Sequence, residues 1–263
     1  MRGARTVRRW WWWPTSVVAL VGVLLLGPLG VLAFGDLDLD SHWSTASRAS
    51  SGMAPAPQNE PRALVQVYGA RTYHWRGAFG IHTWFATKRA GADHYTVYQV
   101  IGWNLYRGRS ALVVSAGGPP DFYWFNAQPT LLIDRRGPGV ESLIDRVEAA
   151  VAAYPYPDEY RAWPGPNSNT FTAFVARQVP ELGLDLPANA IGKDYLANGR
   201  VFDSMPSGTG WQVSLLGLLG VGVAREEGIE FNVLGLSAGI DFNDLRLRLP
   251  GLGSVGWRDS AQR

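Results

Sequence analysis

The string Trp163-Pro164-Gly165-Pro166-Asn167-Ser168-Asn169-Thr170-Phe171 sets hydroxyl and amide side chains directly after a stiff Pro/Gly turn and directly before a helical pattern. Two kinds of chemistry fit that placement. Asn167, Ser168 or Asn169 can cap the helix, accepting hydrogen bonds from backbone N–H groups that its first turn leaves free. Alternatively, the Ser168 hydroxyl is a nucleophile, held where those N–H groups and the helix dipole favour developing negative charge. Four histidines, His42, His74, His82 and His94, are the other reactive candidates. They lack the i, i+4 spacing of a helical zinc site, and the chain has no cysteine, so no metal is expected. The missing cysteines also exclude disulfides, iron–sulfur clusters, a lipidated cysteine and a thiol nucleophile. Ala116-Gly117-Gly118-Pro119-Pro120 lacks the lysine and following helix of a phosphate loop, and no cofactor is expected. Asp194, in Gly-Lys-Asp-Tyr, is a further candidate to orient a histidine and otherwise reads as an exposed charge or turn residue, and His74 beside Trp75 reads as a residue at a strand end on the surface.

The elements that must position these groups follow from periodicity. Ala63–Tyr68 alternates as a strand does, and so does Phe79–Lys88, where Phe79, Ile81, Thr83 and Phe85 face one way and His82 and Trp84 the other. Arg89–Ala92 reads as a turn, and His94–Trp103 as a further strand. Ala111–Ser115, Asp121–Phe125 and Thr130–Asp134 are shorter strand candidates, so the first half is predicted to be an antiparallel meander. The period then changes. Val140, Leu143, Ile144, Val147 and Val151 predict an amphipathic helix over Val140–Ala153, stopped by Pro155 and Pro157. A second helix is predicted from Asn169 to Val179, ended by Pro180. Trp211–Phe242 is apolar and rich in glycine. Its longest apolar stretch, Val213–Val223, is too short to span a bilayer, which predicts a C-terminal β-hairpin turning at Arg225–Gly228. The fold class expected is α+β.

Charge is unevenly spread. Arg2, Arg5, Arg8 and Arg9 precede the first acid, Asp36, and the remainder carries 20 basic and 22 acidic residues. A body without basic excess gives no reason to expect a nucleic-acid partner. No charge occurs from Trp10 to Gly35, and Val17–Phe34 is almost wholly apolar. About 20 helical residues cross a ~30 Å hydrocarbon core. Leading arginines and Trp10–Trp13 at the junction predict a single-pass cell-membrane anchor with its N-terminus cytoplasmic and the remainder extracytoplasmic. A cleaved signal peptide ending at Val31-Leu32-Ala33 is the rival reading. Residues 1–35 are thus a basic tail and anchor, 36–62 a flexible Ser/Ala/Pro tether containing His42 and Trp43, and 63–263 a globular domain.

Trp163–Phe174, Ile81-His82-Thr83-Trp84, Val100-Ile101-Gly102-Trp103 and Ile191-Gly192-Lys193-Asp194-Tyr195 together resemble the bacterial family DUF3750. The similarity spans nearly all of the chain after the tether and extends to Leu234-Gly235-Leu236 and Leu249-Pro250-Gly251 in the tail. A wider resemblance is to circularly permuted papain-like domains, relatives of NlpC-type and lecithin–retinol-acyltransferase-like proteins. In those, a histidine on a strand precedes a nucleophile that opens a later helix in an Asn-Cys-x-x-Phe-like segment. The resemblance implies that Ser168 stands where the relatives have cysteine and that His82 is the general base. It implies that Gln99 or His94 orients the imidazole, and that Asn167, Asn169 and Trp84 shape the site. A four-residue turn at Arg89–Ala92 sets Gln99 opposite His82, and a shorter loop brings His94 there instead. Serine in place of cysteine is a departure, because a hydroxyl must lose its proton during attack whereas a paired thiol ionises near neutral pH. The implied activity is acyl transfer on an amide or ester of a cell-wall peptide or lipid. The alternatives are an inactive module binding a peptide, glycan or lipid, and a structural envelope protein whose glycine-rich tail lies against the membrane.

Overall fold

The computed structural model describes residues 12–256. Arg2, Arg5, Arg8, Arg9 and Trp10 lie outside the described residues. The chain forms a mixed α/β fold around two antiparallel sheets. The first has five strands: β1 (Leu64–Arg71), β2 (Ile81–Lys88), β3 (Thr96–Val100), β4 (Leu112–Ala116) and β5 (Thr130–Arg136). Their order is β4-β3-β2-β1-β5, so the meander runs through four strands and β5 returns to the far side of β1. Both faces are covered, which is why β1 and β2 are buried almost throughout. On one face lie α2 (Val140–Ala152) and α3 (Ser168–Gln178), whose Ile144, Val147, Phe171 and Val175 pack on Val65, Val67 and Phe85. The other face carries an aromatic layer that includes Tyr68, Trp84, Trp124 and Phe125. His82 and Trp84 alternate onto this aromatic face, and Thr83 points to the helices, as period-two alternation requires.

Two expectations about this half change. Asp121–Phe125 makes only isolated bridges, Ser50 with Phe122 and Trp124 with Ala127. Phe125 and Asn126 turn through positive φ (50° and 69°), which folds the aromatic run onto the sheet instead of extending it. The segment read as a flexible tether is packed down. The buried Asp121 carboxylate accepts hydrogen bonds from Ser50 Oγ (2.8 Å), Ser51 Oγ (3.1 Å), Met53 N (2.6 Å) and Ala54 N (3.1 Å). Burial opposes the Asp121 charge, but the hydrogen bonds from Ser50, Ala54 and Met53 hold its carboxyl below the usual carboxylate range.

The C-terminal region is a seven-stranded meander where a single hairpin was expected. Its strands are β6 (Phe202–Ser204), β7 (Gly210–Leu215), β8 (Leu219–Ala224), β9 (Gly228–Val233), β10 (Leu236–Asp241), β11 (Arg246–Leu249) and β12 (Gly253–Gly256). The turn at Arg225–Gly228 is present, but each long strand read on either side of it breaks into two. The break between β9 and β10 is a two-residue turn that needs φ > 0 at both positions. Gly235 (φ 81°) supplies one, and Leu234 (φ 54°) takes the other despite its side chain. The two faces of this sheet differ in kind. Trp211, Val223, Ile229, Ile240, Leu247 and Val255 form one cross-strand row on the outer face. The inner face carries Gln212, Ser214, Glu230, Asn232, Ser237 and Arg248, all buried.

α1 (Trp12–Phe34) contains Thr15–Phe34, a stretch long and apolar enough to cross a membrane. Residues Thr15 to Leu20 are exposed, whereas Pro28 and Val31 are buried. The helix packs on residues 74–78 and on β10.

Candidate functional site

Asn167 is the N-cap of α3, and Ser168 is its first helical residue. Asn167 Oδ1 accepts from Asn169 N (2.9 Å) and Thr170 N (3.1 Å), while Thr170 Oγ1 accepts from Asn167 N (3.1 Å), closing a capping box. The Asn167 amide also donates to Ala162 O (3.1 Å) and Ile191 O (3.0 Å). Gly192 must be glycine here. Its φ is 100°, and an added Cβ would stand 2.4 Å from the Asn167 amide. Of the three residues that suit a cap, the amide has taken the work and the hydroxyl is left out. No hydrogen bond joins Ser168 Oγ to any described residue, and the Ser168 backbone N–H likewise has no acceptor among them. Ser168 is buried, 4 % exposed.

The first turn of α3 is bound to β2 on both sides of His82. Asn169 Nδ2 donates to Ile81 O (2.9 Å) and to Ile191 O (2.8 Å). Thr83 Oγ1 lies in range of Asn169 Oδ1 (2.9 Å), Thr172 Oγ1 (2.8 Å) and Ser168 O (3.4 Å), and its single proton serves one of them at a time. Asn169 is therefore fully engaged in fixing helix to strand. Thr83 escaped the sequence reading. Its only signal was a polar residue on the core face of an otherwise apolar alternation.

His82 is also 4 % exposed. Its Nε2 meets Gln99 Oε1 at 3.1 Å, so the ring proton sits on Nε2 and Nδ1 keeps a lone pair. Burial pushes the imidazole pKa down to about 4, against a smaller upward pull from Gln99. The resting ring is therefore neutral near pH 7. The register that brings Gln99 here differs from expectation by two residues. Phe85 pairs with Tyr98, and continuing that ladder sets Gln99 opposite Trp84, diagonal to His82. A shift of two keeps the side chain on the same face, and a glutamine is long enough for the diagonal.

His94 is elsewhere. It is exposed in the β2–β3 loop, with Nδ1 2.6 Å from Asp93 Oδ1. His74 opens the short 3₁₀ turn after β1, and His42 Nδ1 bonds Ser44 Oγ at 2.7 Å. Among the described residues no group of three or more acidic, histidine or cysteine side chains is arranged to hold a metal ion. Trp84 stacks on Phe122 (4.5 Å) and donates its indole N–H to Pro120 O (2.7 Å). The closest ring to His82 is Trp124, stacked at 3.7 Å and 13°, with Trp103 beside it at 5.6 Å. Trp103 ends the Val100–Trp103 string that marks the family resemblance, but nothing local in the sequence points either tryptophan at His82. The run Phe-Tyr-Trp-Phe at 122–125 was the available signal, but it was read as a strand.

Asp194 is buried, contrary to its expected exposure. Its Oδ2 accepts from Asn232 Nδ2 (2.7 Å) and Ser237 Oγ (3.1 Å), and Lys193 Nζ lies 3.4 Å from Oδ1. Lys193 Nζ reaches Glu230 (2.6 Å), which also accepts from Arg248 Nε (2.9 Å), and Arg248 holds Asp185 through two 2.7 Å bonds. Burial disfavours the Lys193 ammonium, yet Asp194 and Glu230 together hold its pKa above the usual lysine value. Arg177, on α3, donates to Lys193 O (2.8 Å), which ties the network to the helix carrying Ser168. Nearby, burial and the Asp185 charge push the Glu227 carboxyl up to about 7, against hydrogen bonds from Ser207.

These features define a two-sheet α/β domain carrying an N-terminal helix of membrane-spanning length, with an unpaired serine at a helix start tied to a histidine-bearing strand. Within that class the chain belongs to the DUF3750 family, described as proteins of unknown function, whose match covers residues 62–195. The matched residues include the first sheet, α2 and all of α3, with Ser168, His82 and Gln99, and they stop before β6. The tail strings at Leu234–Leu236 and Leu249–Gly251 lie beyond them. Comparison with curated proteins and with solved structures finds no match.

Proposed function

We propose that this chain is a membrane-tethered, extracytoplasmic acyl-transfer enzyme, a hydrolase or transferase acting on an amide or ester of a cell-envelope peptide or lipid. In this reading Ser168 Oγ attacks the carbonyl carbon and its proton passes to His82 Nδ1, a transfer that needs a bridging water or a movement, because no hydrogen bond joins the two side chains and His82 lies on the aromatic face of β2 while α3 packs on the other. The carbonyl oxygen becomes an oxyanion opposite the Ser168 N–H at the positive end of α3. Collapse expels the alcohol or amine, which takes the proton back from His82. Water or an acceptor hydroxyl or amine then releases the acyl group by the same steps in reverse. Gln99 is a positioning residue that fixes the imidazole tautomer. The observation that carries this reading is the division of labour at the helix start: Asn167 does the capping, leaving the Ser168 hydroxyl and N–H unspent, while Gln99 leaves Nδ1 of His82 without a proton. The order of strand histidine, polar partner and helix-opening hydroxyl supports a permuted papain-like ancestry. The burial of Val31 and Pro28 against the domain supports a retained anchor over a cleaved signal, since cleavage after Ala33 would strip away a packed helix.

A second reading, an inactive binding module, has its own support. Both key side chains are 4 % exposed, and an imidazole with a pKa of about 4 is a weak base. Trp103 and Trp124 would then serve as stacking walls for a ligand. The test uses the full-length protein in mild detergent with p-nitrophenyl acyl esters. The enzyme reading expects a burst of nitrophenolate that disappears in Ser168→Ala and in His82→Ala. Equal release from wild type and Ser168→Ala leaves the binding module.

A further inference from the structure

We propose that the outer face of the C-terminal sheet is seated in the lipid leaflet, beside the helix that anchors the chain. The proposal rests on the membrane-anchor reading of α1. The sheet is inverted relative to one that faces water. Its outer row from Trp211 to Val255 crosses six strands without a charge, and Trp211 (62 %) and Leu247 (50 %) are largely exposed. Its inner rows bury Glu230, Arg248, Gln212 and Asn232. A sheet with one wet face normally shows polar side chains outside and apolar ones inside. Charges buried within and apolar side chains exposed without are both unfavourable in water, and the outer half of that penalty vanishes against hydrocarbon.

α1 says which medium covers the face. A side chain added at Gly27 would come within 2.2 Å of Pro250 O, and one at Gly251 within 2.8 Å of Pro28 Cα. The span Thr15–Phe34 therefore touches the β11–β12 turn from Gly27 onward. A span of this length fills the ~30 Å hydrocarbon core, so whatever packs on its last two turns lies about 10 Å deep with it. The turns at that end of the sheet are apolar: Leu216-Gly217, Leu234-Gly235 and Leu249–Leu252, with Leu216, Leu234 and Leu252 exposed. The turns at the opposite end carry Arg225, Glu226, Asn243 and Asp244. The polarity along the strands thus matches a sheet that dips its leucine end into the leaflet and keeps its charged end at the headgroups.

The cysteine-free chain permits a direct test. Single-cysteine variants Leu247→Cys and Val213→Cys on the outer face, Val23→Cys in α1 and Ala149→Cys on exposed α2 are labelled with the fluorophore NBD. Each full-length protein is placed in phosphatidylcholine/phosphatidylglycerol vesicles. The expected result is that probes at 247, 213 and 23 lose most of their emission to doxyl-labelled lipids and resist aqueous cobalt, with the reverse at 149. Probes at 247 and 213 quenched by cobalt while that at 23 is quenched by lipid would overturn the proposal and leave the anchor intact. Probes at 247 and 213 shielded from both quenchers would show the face covered by a second copy or another protein, which also overturns it. A water-exposed probe at 23 would remove the anchor reading itself.

Discussion

Two buried groups, His82 and Glu227, have opposed proton preferences in mild acid. His82 falls from 6.5 to about 4 on folding, so below pH 6.5 the unfolded chain takes up a proton that the folded chain refuses. Its contribution to stability is present above 6.5 and is lost as pH falls. Glu227 rises from 4.5 to about 7, so the folded chain holds a proton that the unfolded chain has released. Its contribution is present below 4.5 and is lost as pH rises through 7. At about 1.4 kcal/mol per pKa unit, each group changes stability by about 2 kcal/mol between pH 4.5 and 6.5, in opposite directions. These two contributions therefore nearly cancel across that window in the wild type. Substitution unmasks each half. Glu227→Gln should gain about 2 kcal/mol from pH 4.5 to 6.5, and His82→Gln should lose about 2 kcal/mol over the same range. The assay is urea unfolding of the full chain in mild detergent, followed by tryptophan fluorescence. A Glu227→Gln protein as level as wild type would refute the claim that His82 is buried and neutral.

Other variants probe the supports of the site. Gln99→Leu leaves the His82 Nε2–H without its acceptor and should cost about 1–3 kcal/mol in urea unfolding, with Gln99→Glu raising the His82 pKa in an NMR titration of the ring. Asn167→Ala removes the cap and two carbonyl contacts. It should cost at least about 1–2 kcal/mol, seen as faster amide exchange in the first turn of α3. Arg248→Met deprives Asp185 and Glu230 of a buried partner and should destabilise by about 3–5 kcal/mol in the same urea assay.

What the sequence made legible follows from which signals are local. The alternation in Phe79–Lys88 and the 3.6-residue period from Val140 to Val151 returned β2 and α2 nearly to the residue, because each has an apolar face against one core. The Pro/Gly turn before Ser168 announced a helix start, although it could not say which of three polar residues does the capping. Gln99 was found through an imperfect register, since an error of two residues preserves the face. The long-range contacts were not legible. Asp121 gathers donors some seventy residues away, and no local pattern marks that. Asp194 lies in a turn motif that reads as exposed until Asn232 and Ser237 reach it from another sheet. The C-terminal strands were merged because Leu216 and Leu234 occupy left-handed turn positions where asparagine or glycine is the usual signal.

The proposed acyl transfer turns on one hydroxyl. Full-length protein is treated with a fluorophosphonate, and the modified peptide is located by mass spectrometry. A single phosphonylated residue, Ser168, is expected, with labelling abolished by Ser168→Ala and sharply slowed by His82→Gln. Absence of label at Ser168 in a folded protein, or label there at the same rate without His82, would contradict it.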